Sequence, residues 1–438
     1  MEYPRVIILG ETFRVNGGGG ITMTNLFMDW PSSHIGVITD RINETNPLSA
    51  CNYYQLGDEE IRFPFPFSLI QGHVVSGPVK PGNEGTTEPK TEHANRNKPG
   101  LKNSIRKWFD LFLKKTGLNF IFYSIKLSGS LKKWILDFKP DIIYIQPFHY
   151  RIMKFGNLLF SELNIPYVTH IMDDSVKYIN GSKILKNHIQ GIIDKDFTQL
   201  IHNAALNLCI SEAMGDEYYK RYNRKFLPFR NPIDTDKWLE FSKGRTDITS
   251  EGIKVIYNGR LFSPTHDSLL DFCRIVNDLN KKGKHVELHI YTYDNNTSFR
   301  TSIGKMEGIK IFPPVKIKDV PELISRYDVF FMCLDFDKEA QKYSQFSIST
   351  RTSEGMISGV PVLLYAPPNT AMFKYFKKHN AGCIVGGKDP VRLEEALIKL
   401  MEENDYRHTI SRNAVTTALF DSNSIEVRKK FKEALTTL

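Results

Sequence analysis

The chain has 438 residues, enough for two or three domains, and its 41% hydrophobic and 24% charged residues are typical of a soluble globular protein. Its net charge of +9 favours anionic partners. No basic block is interleaved with aromatic residues, so we expect nucleotide phosphates or an anionic membrane surface rather than nucleic acid.

The cysteines and the opening segment indicate a cytoplasmic protein. The five cysteines are scattered, odd in number and form no CxxC motif, which argues against a disulfide framework or a zinc site and for a reducing compartment. The opening segment MEYPRVIILGE lacks the basic region of a signal peptide. No window of the sequence approaches the roughly 18 apolar residues of a membrane span.

Short apolar runs alternate with helical patterns along the whole chain, which is typical of a parallel α/β sheet. The runs are 6–10, 35–40, 141–146, 167–172 and 206–211 in the first half, and 254–259, 286–292, 309–312, 329–334, 361–365 and 383–387 in the second. Each series fits one doubly wound domain, so the sequence predicts two Rossmann-like halves. Asn231 followed by Pro232 breaks any regular element and predicts the join within 227–238. Residues 76–104, which are polar and rich in proline and glycine, are predicted to form a mobile loop.

The segment GETFRVNGGGGITMTNLF (10–27) follows the first strand and opens a helix. Its glycines allow backbone to approach a ligand closely, and a helix N-terminus attracts anions. The glycine spacing does not match GxGxxG, so a dinucleotide site is not favoured. The alternative is a flexible turn without a ligand.

Two further segments of the first half carry chemistry. In THIMDDSVKY (169–178), His170 lies in or at the end of a strand and is followed by Asp173 and Asp174. A strand histidine is commonly a core residue, but this one is predicted to face the same cleft as the glycine-rich loop.

The segment NSIRKWFDLFLKKTG (103–117) is predicted to form a basic amphipathic helix, which either packs on the core or lies on an anionic membrane.

Two segments of the second half predict an anion site. Arg260 follows an apolar strand, at the edge of the sheet where α/β ligands bind, and its guanidinium can hold a diphosphate; the alternative is a solvated arginine. In FSISTRTSEGMISGVPVLL (346–364) a helix is predicted to start at Ser349 and stop at Gly359, with Arg351 and Glu354 on one face. A helix between two buried strands needs apolar residues there, so these polar residues indicate an anionic, hydroxyl-rich ligand.

These motifs resemble, in their order along the chain, those of retaining glycosyltransferases of the GT-B fold, in particular glycosyltransferase family 4. The resemblance is carried by the glycine-rich loop, ISEAM (210–214), RNPID (230–234), NGR (258–260) and STRTSEGMISGVPVL (349–363). It implies two Rossmann-like doubly wound domains facing across a cleft, with a C-terminal helix that crosses back. The expected divisions are an acceptor-binding domain over 1–230, a nucleotide-sugar-binding domain over 231–422, and the returning helix over 423–438.

The resemblance also implies a role for each matching residue. Glu354 would accept hydrogen bonds from the donor ribose, and Arg260 would neutralise charge on the leaving phosphate. His170 occupies the position of a histidine near the transferred sugar, so the expected catalytic residues are His170, Arg260 and Glu354. The expected donor-binding residues also include Gly18, Gly19, Gly20, Pro314, Val315, Ser349, Thr350 and Arg351, while Asp173 and Asp174 are placed on the acceptor side.

The chain departs from the family pattern at two positions. Phe346 stands where the family often has a first glutamate that touches the donor sugar, and Thr265, beside His266, stands where it often has a lysine. The first departure leaves the sugar unidentified, and the second removes one phosphate cation that Arg351 would partly replace.

The sequence therefore predicts a hexosyl or related glycosyltransferase that uses a nucleotide diphosphate sugar and retains the anomeric configuration. The motifs DFD (335–337) and DTD (234–236) match a metal-binding pattern of other sugar transferases, but such short matches arise by chance, and we expect no metal and no cofactor. The expected acceptor is a saccharide or lipid-linked precursor of a surface polysaccharide or glycoconjugate, with peripheral membrane contact through 103–117. The alternatives are a nucleotide-sugar epimerase of the same fold and a catalytically silent sugar-nucleotide-binding subunit.

Overall fold

The computed structural model describes residues 2–14, 18–40, 51–61, 73–79, 108, 111–113, 124–174, 185–242 and 252–438. The chain divides into two compact units. The first comprises Met1–Phe229 with Arg428–Leu438, and the second comprises Arg230–Val427.

The described part of the first unit contains a sheet with the strand order β4-β3-β2-β1-β5-β6-β7-β8. Its strands are β1 (Val6–Leu9), β2 (Ile35–Thr39), β3 (Asn52–Gln55), β4 (Gly77–Val79), β5 (Ile142–Ile145), β6 (Tyr167–Ile171), β7 (Leu206–Cys209) and β8 (Leu227–Pro228). The helices are α1 (Gly18–Leu26), α2 (Gly129–Phe138), α3 (Tyr150–Leu163), α4 (Lys186–Asn203) and α5 (Glu212–Tyr222), with a short 3-10 turn at Ser32–His34. Neighbouring strands are parallel except for β3 and β4, which are antiparallel.

The sheet of the second unit is entirely parallel and has the order β11-β10-β9-β12-β13-β14. Its strands are β9 (Ile253–Asn258), β10 (Val286–Tyr291), β11 (Ile309–Phe312), β12 (Val329–Cys333), β13 (Val362–Tyr365) and β14 (Cys383–Val385). Its helices are α6 (Thr235–Leu239), α7 (His266–Lys281), α8 (Thr297–Ile303), α9 (Val320–Ile324), α10 (Lys338–Ser344), α11 (Thr350–Ile357), α12 (Ala371–His379), α13 (Pro390–Glu402) and α14 (Asn404–Asp421), with a 3-10 turn at Ile317–Asp319.

The last helix, α15 (Ser424–Thr436), joins the first unit from Arg428 onward. The ring of Phe431 packs edge-on against Phe27 at 5.1 Å and against Phe229 at 5.4 Å between ring centroids. The Nε of Arg428 donates to the Asn25 carbonyl at 2.7 Å. The helix is therefore fixed to this unit by both an aromatic cluster and a helix-end hydrogen bond.

The predicted architecture of two doubly wound sheets is confirmed, and each of the predicted apolar runs contains a strand. The central strands are buried on both faces, which is why they read as continuous apolar runs rather than as alternating patterns. Strands β3, β4 and β8 were not among the predicted runs. Strand β4 lies within the segment 76–104 that was predicted to be a loop. It contains Pro78, which a strand can accommodate at the edge of a sheet. Residues 80–104 lie outside the described part of the chain.

The strand order places one ligand-binding edge in each unit. In both sheets the order reverses at a central pair, β1 with β5 and β9 with β12. Open α/β sheets bind ligands beyond the carboxyl ends of the strands at this reversal. Gln146 follows β5 at this edge of the first unit, and Arg260 and Asp335 follow β9 and β12 in the second.

Candidate active site

Arg260 lies two residues beyond the end of β9, and its side chain is exposed. In the described part of the chain its guanidinium makes no hydrogen bond and no ion pair. The family lysine position holds Thr265, whose hydroxyl lies 3.0 Å from the Arg260 carbonyl oxygen. Thr265 therefore anchors the loop, and Arg260 supplies a cation that is available to a ligand.

Helix α11 begins and ends as predicted from its sequence. The hydroxyl of Ser349 accepts a hydrogen bond from the Arg351 amide at 3.3 Å and caps the helix. Gly359 has a φ of 72°, a left-handed conformation that suits glycine just after the helix. The helix N-terminus thus carries hydroxyl groups and a positive dipole end, which together suit an anion.

Arg351 and Glu354 form an ion pair along one face of α11. Nη1 of Arg351 donates to Oε2 of Glu354 at 3.2 Å, and the two side chains are 32% and 17% exposed. A pair of opposite charges three residues apart stabilises an isolated helix by only about 0.2–0.5 kcal/mol. Both side chains can therefore exchange this pairing for stronger contacts with a ligand.

The remaining predicted donor residues of the second unit flank these groups in sequence. Pro314 and Val315 are half-buried in the loop after β11. Phe346 is buried, so this position offers an apolar ring and no carboxylate. The base contact predicted for Pro314 and Val315 stays a prediction.

The Asp-x-Asp motifs have structural roles at helix ends. Asp335 is buried, which raises the pKa of its carboxyl group, and it accepts a hydrogen bond from the Ser268 amide in the first turn of α7 at 2.9 Å. Asp337 caps α10. In the second motif Asp234 caps α6. Among the described residues there is no group of three potential metal-binding side chains.

The glycine-rich loop leads into α1, which begins at Gly18. A Cβ atom on Gly19 would lie 3.0 Å from both Met172 Sδ and the Phe148 ring, and one on Gly20 would lie 2.9 Å from the Arg14 side chain. Close packing therefore requires small residues here. The contact of these glycines with donor phosphates stays a prediction.

His170 is a core residue of the first unit, and its predicted catalytic role stays a prediction. The ring is fully buried, and Nε2 lies 3.1 Å from the Phe229 carbonyl oxygen. Because a carbonyl only accepts, Nε2 carries the proton and Nδ1 accepts from the Tyr144 hydroxyl. Both ring nitrogens are occupied, and burial lowers the pKa of His170 to about 4.

This burial predicts a loss of stability in acid. His170 takes up a proton below about pH 6.5 in the unfolded state but only near pH 4 in the folded state. The stability that the neutral buried ring contributes is therefore fully present above pH 6.5 and is lost as the pH falls from 6.5 to 4. The expected loss is about 3 kcal/mol. Urea unfolding of the parent and of His170→Gln at pH 7.0 and pH 4.5 measures it. His188→Gln, a change at an exposed histidine, is the control; the same pH dependence in the parent and His170→Gln would contradict the assignment.

The two aspartates predicted on the acceptor side differ in environment. Asp174 is buried, and both of its carboxylate oxygens lie 3.0 Å from Nη1 of Arg221, while the Tyr218 hydroxyl donates to it at 2.7 Å. Asp174 thus holds α5 to the end of β6, and its predicted acceptor-side role stays a prediction. Asp173 is exposed and stays a predicted acceptor-side residue.

Gln146 is a candidate site residue that the sequence analysis missed. It is fully buried directly after β5, and its Oε1 has no hydrogen-bond partner among the residues that the structure describes. A Cβ atom on Gly19 would lie 3.5 Å from this oxygen. A buried amide oxygen without a hydrogen-bond partner lowers the stability of the fold, so Oε1 of Gln146 is suited to accept a hydrogen bond from a ligand. The signal in the sequence was a polar residue at the carboxyl end of an apolar strand.

The predicted membrane helix 103–117 lies largely outside the described residues. Of its described positions, Trp108, Leu111 and Phe112 are exposed and Leu113 is buried. In the described residues, no helix has the length and apolar character needed to span a membrane.

Comparison with known protein families gives a match to part of the second unit. Residues 252–403 match the family model described as "Glycosyl transferases group 1". These residues contain β9, Arg260 and the whole of α11. No sequence among the curated proteins matches the chain.

Solved structures of low sequence identity share the whole fold. HepE from Anabaena in complex with UDP and glucose is 12% identical, with 100% of both chains covered and a TM-score of 0.61. Sucrose-phosphate synthase from Thermosynechococcus elongatus is 10% identical over 100% of this chain and 99% of its own, with a TM-score of 0.63. WaaG, a glycosyltransferase involved in lipopolysaccharide biosynthesis, is 12% identical over 98% of this chain and 99% of its own, with a TM-score of 0.56. The predicted GT-B fold and the resemblance drawn from the sequence are thus confirmed.

Proposed function

Because residues 252–403 form a glycosyl transferases group 1 domain within a chain of the GT-B fold, we propose that this protein transfers a sugar from a nucleotide diphosphate sugar to a hydroxyl acceptor with retention of configuration. One observation carries the proposal: α11 presents a capped N-terminus with Arg351 and Glu354, and the loop after β9 in the same unit presents the cation Arg260, which has no partner among the described residues. This combination matches a ligand that has both phosphates and hydroxyl groups.

Each of these groups has a proposed task. The N-terminus of α11 with Ser349, Thr350 and Arg351 binds the diphosphate, and Glu354 accepts hydrogen bonds from the ribose. Arg260 stabilises charge that develops on the departing nucleotide. Gly18, Gly19 and Gly20 remain proposed phosphate contacts, and Pro314 and Val315 remain proposed base contacts.

The acceptor is proposed to be a saccharide or a lipid-linked precursor of a surface polysaccharide or glycoconjugate. Asp173 is exposed and retained as an acceptor-side candidate, and Gln146 joins it because its amide oxygen has no partner among the described residues. His170 remains a proposed residue near the transferred sugar; since both of its ring nitrogens are bonded within the fold, proton exchange with a substrate is not its proposed task.

Turnover of a panel of UDP-, GDP- and ADP-sugars with a crude lipid acceptor tests the proposal. A sugar-bearing product and free nucleotide diphosphate support the transferase. Interconversion of two donor sugars without an acceptor identifies the epimerase alternative. Nucleotide binding without turnover identifies the silent subunit, which the phenylalanine at position 346 and the threonine at 265 keep under consideration.

Chelation tests the proposed independence from divalent metal. Since Asp335 and Asp337 already accept hydrogen bonds from helix amides, we expect full activity in excess EDTA. Initial rates before and after chelation measure this. Complete loss of activity that manganese restores would make the DFD motif a metal ligand set and overturn this part of the proposal.

Charge reversal tests the proposed membrane contact. Lys114→Glu with Lys115→Glu removes two basic charges that follow the exposed residues Trp108, Leu111 and Phe112 in the sequence, at about 1 kcal/mol of anionic-surface attraction per charge plus new repulsion. Sedimentation with anionic vesicles measures the effect, and Lys377→Glu with Lys378→Glu, at exposed positions in the second unit, is the control. Equal binding of both variants and the parent, or no binding by the parent, would indicate a helix that does not contact lipid.

A further inference from the structure

We propose that Tyr257 and Asp294 are positioning residues that fix the backbone of Arg260 so that its guanidinium is presented to the donor phosphates. This inference rests on the proposed function and names the residues on which its main cation depends. It is based on hydrogen bonds to the carbonyl oxygen of Arg260 and to the amide of Leu261, the two polar groups of the peptide that follows Arg260.

The first anchor lies beneath the Arg260 carbonyl. The hydroxyl of Tyr257, a buried residue near the end of β9, donates to the Arg260 carbonyl oxygen at 2.6 Å, which is closer than the Thr265 hydroxyl at 3.0 Å from the same oxygen. Burial raises the pKa of Tyr257 well above its ordinary value, so its hydroxyl stays protonated and remains a donor. A Cβ atom on Gly259 would lie only 2.9 Å from this hydroxyl, so glycine is needed between the strand end and the anchored carbonyl.

The second anchor holds the next residue. The amide of Leu261 donates to Oδ2 of Asp294 at 2.8 Å, and the Leu261 carbonyl accepts from Nδ2 of Asn296 at 2.9 Å. The Leu261 side chain is fully buried. Side chains from the β10–α8 loop therefore fix both polar groups of the residue that follows Arg260.

The backbone around Arg260 is hydrogen-bonded, whereas its side chain is exposed. The carbonyl of Arg260 and both backbone groups of Leu261 are bonded, whereas the Arg260 guanidinium is exposed and has no partner in the described residues. A preorganised charge contributes more to catalysis than a mobile one, because no reorganisation is needed when charge develops. The anchors reduce this reorganisation by fixing the backbone from which the Arg260 side chain extends, and they leave its guanidinium without a competing partner among the described residues.

Tyr257→Phe tests the inference because it removes the donor and keeps the ring. Tyr365→Phe is the matched control: this tyrosine is also fully buried in the same core, but its hydroxyl has no partner among the described residues. Calorimetric titration with whichever of UDP, GDP or ADP binds the parent most tightly, and with its nucleoside, gives the readout. We expect Tyr257→Phe to weaken diphosphate binding by roughly fivefold to a hundredfold and to leave nucleoside binding unchanged.

A double mutant separates positioning from general destabilisation. In an Arg260→Ala background, Tyr257→Phe should cause no further loss of diphosphate affinity. Asp294→Ala should repeat the pattern of Tyr257→Phe through the other anchor. Three outcomes would overturn this inference but not the proposed function. They are equal weakening of diphosphate and nucleoside binding, losses of affinity that add to those of Arg260→Ala, and a Tyr257→Phe variant that binds like Tyr365→Phe. A parent that binds no nucleotide diphosphate would overturn the proposed function and this inference with it.

Discussion

Replacing Glu354 with alanine is expected to weaken nucleotide binding by tens-fold to thousands-fold and to change the melting temperature of the ligand-free protein little. In the free protein Glu354 only pairs with Arg351 on the helix surface, a contact of about 0.2–0.5 kcal/mol. In the proposed complex the carboxylate is desolvated and bonded to ribose hydroxyls. Loss of a charged partner from such a site costs about 2–5 kcal/mol.

Calorimetric titration with nucleotide diphosphate and with nucleoside measures this expectation. Arg351→Ala should weaken diphosphate binding as well, but should affect a nucleoside less because the nucleoside has no phosphates. Glu394→Ala is the control, since Glu394 also forms an ion pair in the second unit, with Lys282 at 2.7 Å just after the end of α7. A Glu354→Ala variant that binds nucleotide like the parent but melts far lower would show that α11 has a structural role and that the proposed site is wrong.

Replacing Arg260 with alanine is expected to lower kcat by about 10²–10³-fold. The reason is that the departing nucleotide diphosphate gains negative charge as the glycosidic bond breaks, and a positioned cation stabilises that charge more in the transition state than in the ground state. Because the guanidinium has no partner among the described residues, its loss should leave the free energy of unfolding nearly unchanged. Steady-state kinetics with thermal unfolding of the same samples give both quantities.

Arg326→Ala is the matched control for this variant, since it removes an exposed arginine just beyond the end of α9 that pairs with Glu322. Both variants lower the net charge by the same amount, so a general electrostatic effect would lower the two rates equally. If Arg260→Ala retains parental kcat, the leaving phosphate is stabilised by another group, and the role proposed for the strand-end loop fails.

The features that the sequence determined by itself are local ones. The apolar runs of β1, β5, β12 and β13 predicted buried parallel strands because such strands have no solvent-facing side. The limits of α11 followed from Ser349 and Gly359, since a capping hydroxyl and a left-handed glycine act within a few residues of the helix they bound. Arg260 was predicted at the ligand edge because it directly follows a strand.

The roles of the buried polar groups were decided only by the tertiary structure. His170 bonds to Phe229, 59 residues away, and Asp174 pairs with Arg221, 47 residues away. Neither partner could therefore be predicted from the neighbouring sequence. Asp335 accepts a hydrogen bond from the amide of Ser268, 67 residues away, a contact that the sequence around the DFD motif does not indicate. The physical reason is that a titratable side chain binds a ligand readily only if the fold leaves its polar atoms unpaired or in a weak pair that a ligand can replace, and pairing depends on which strands and helices become neighbours.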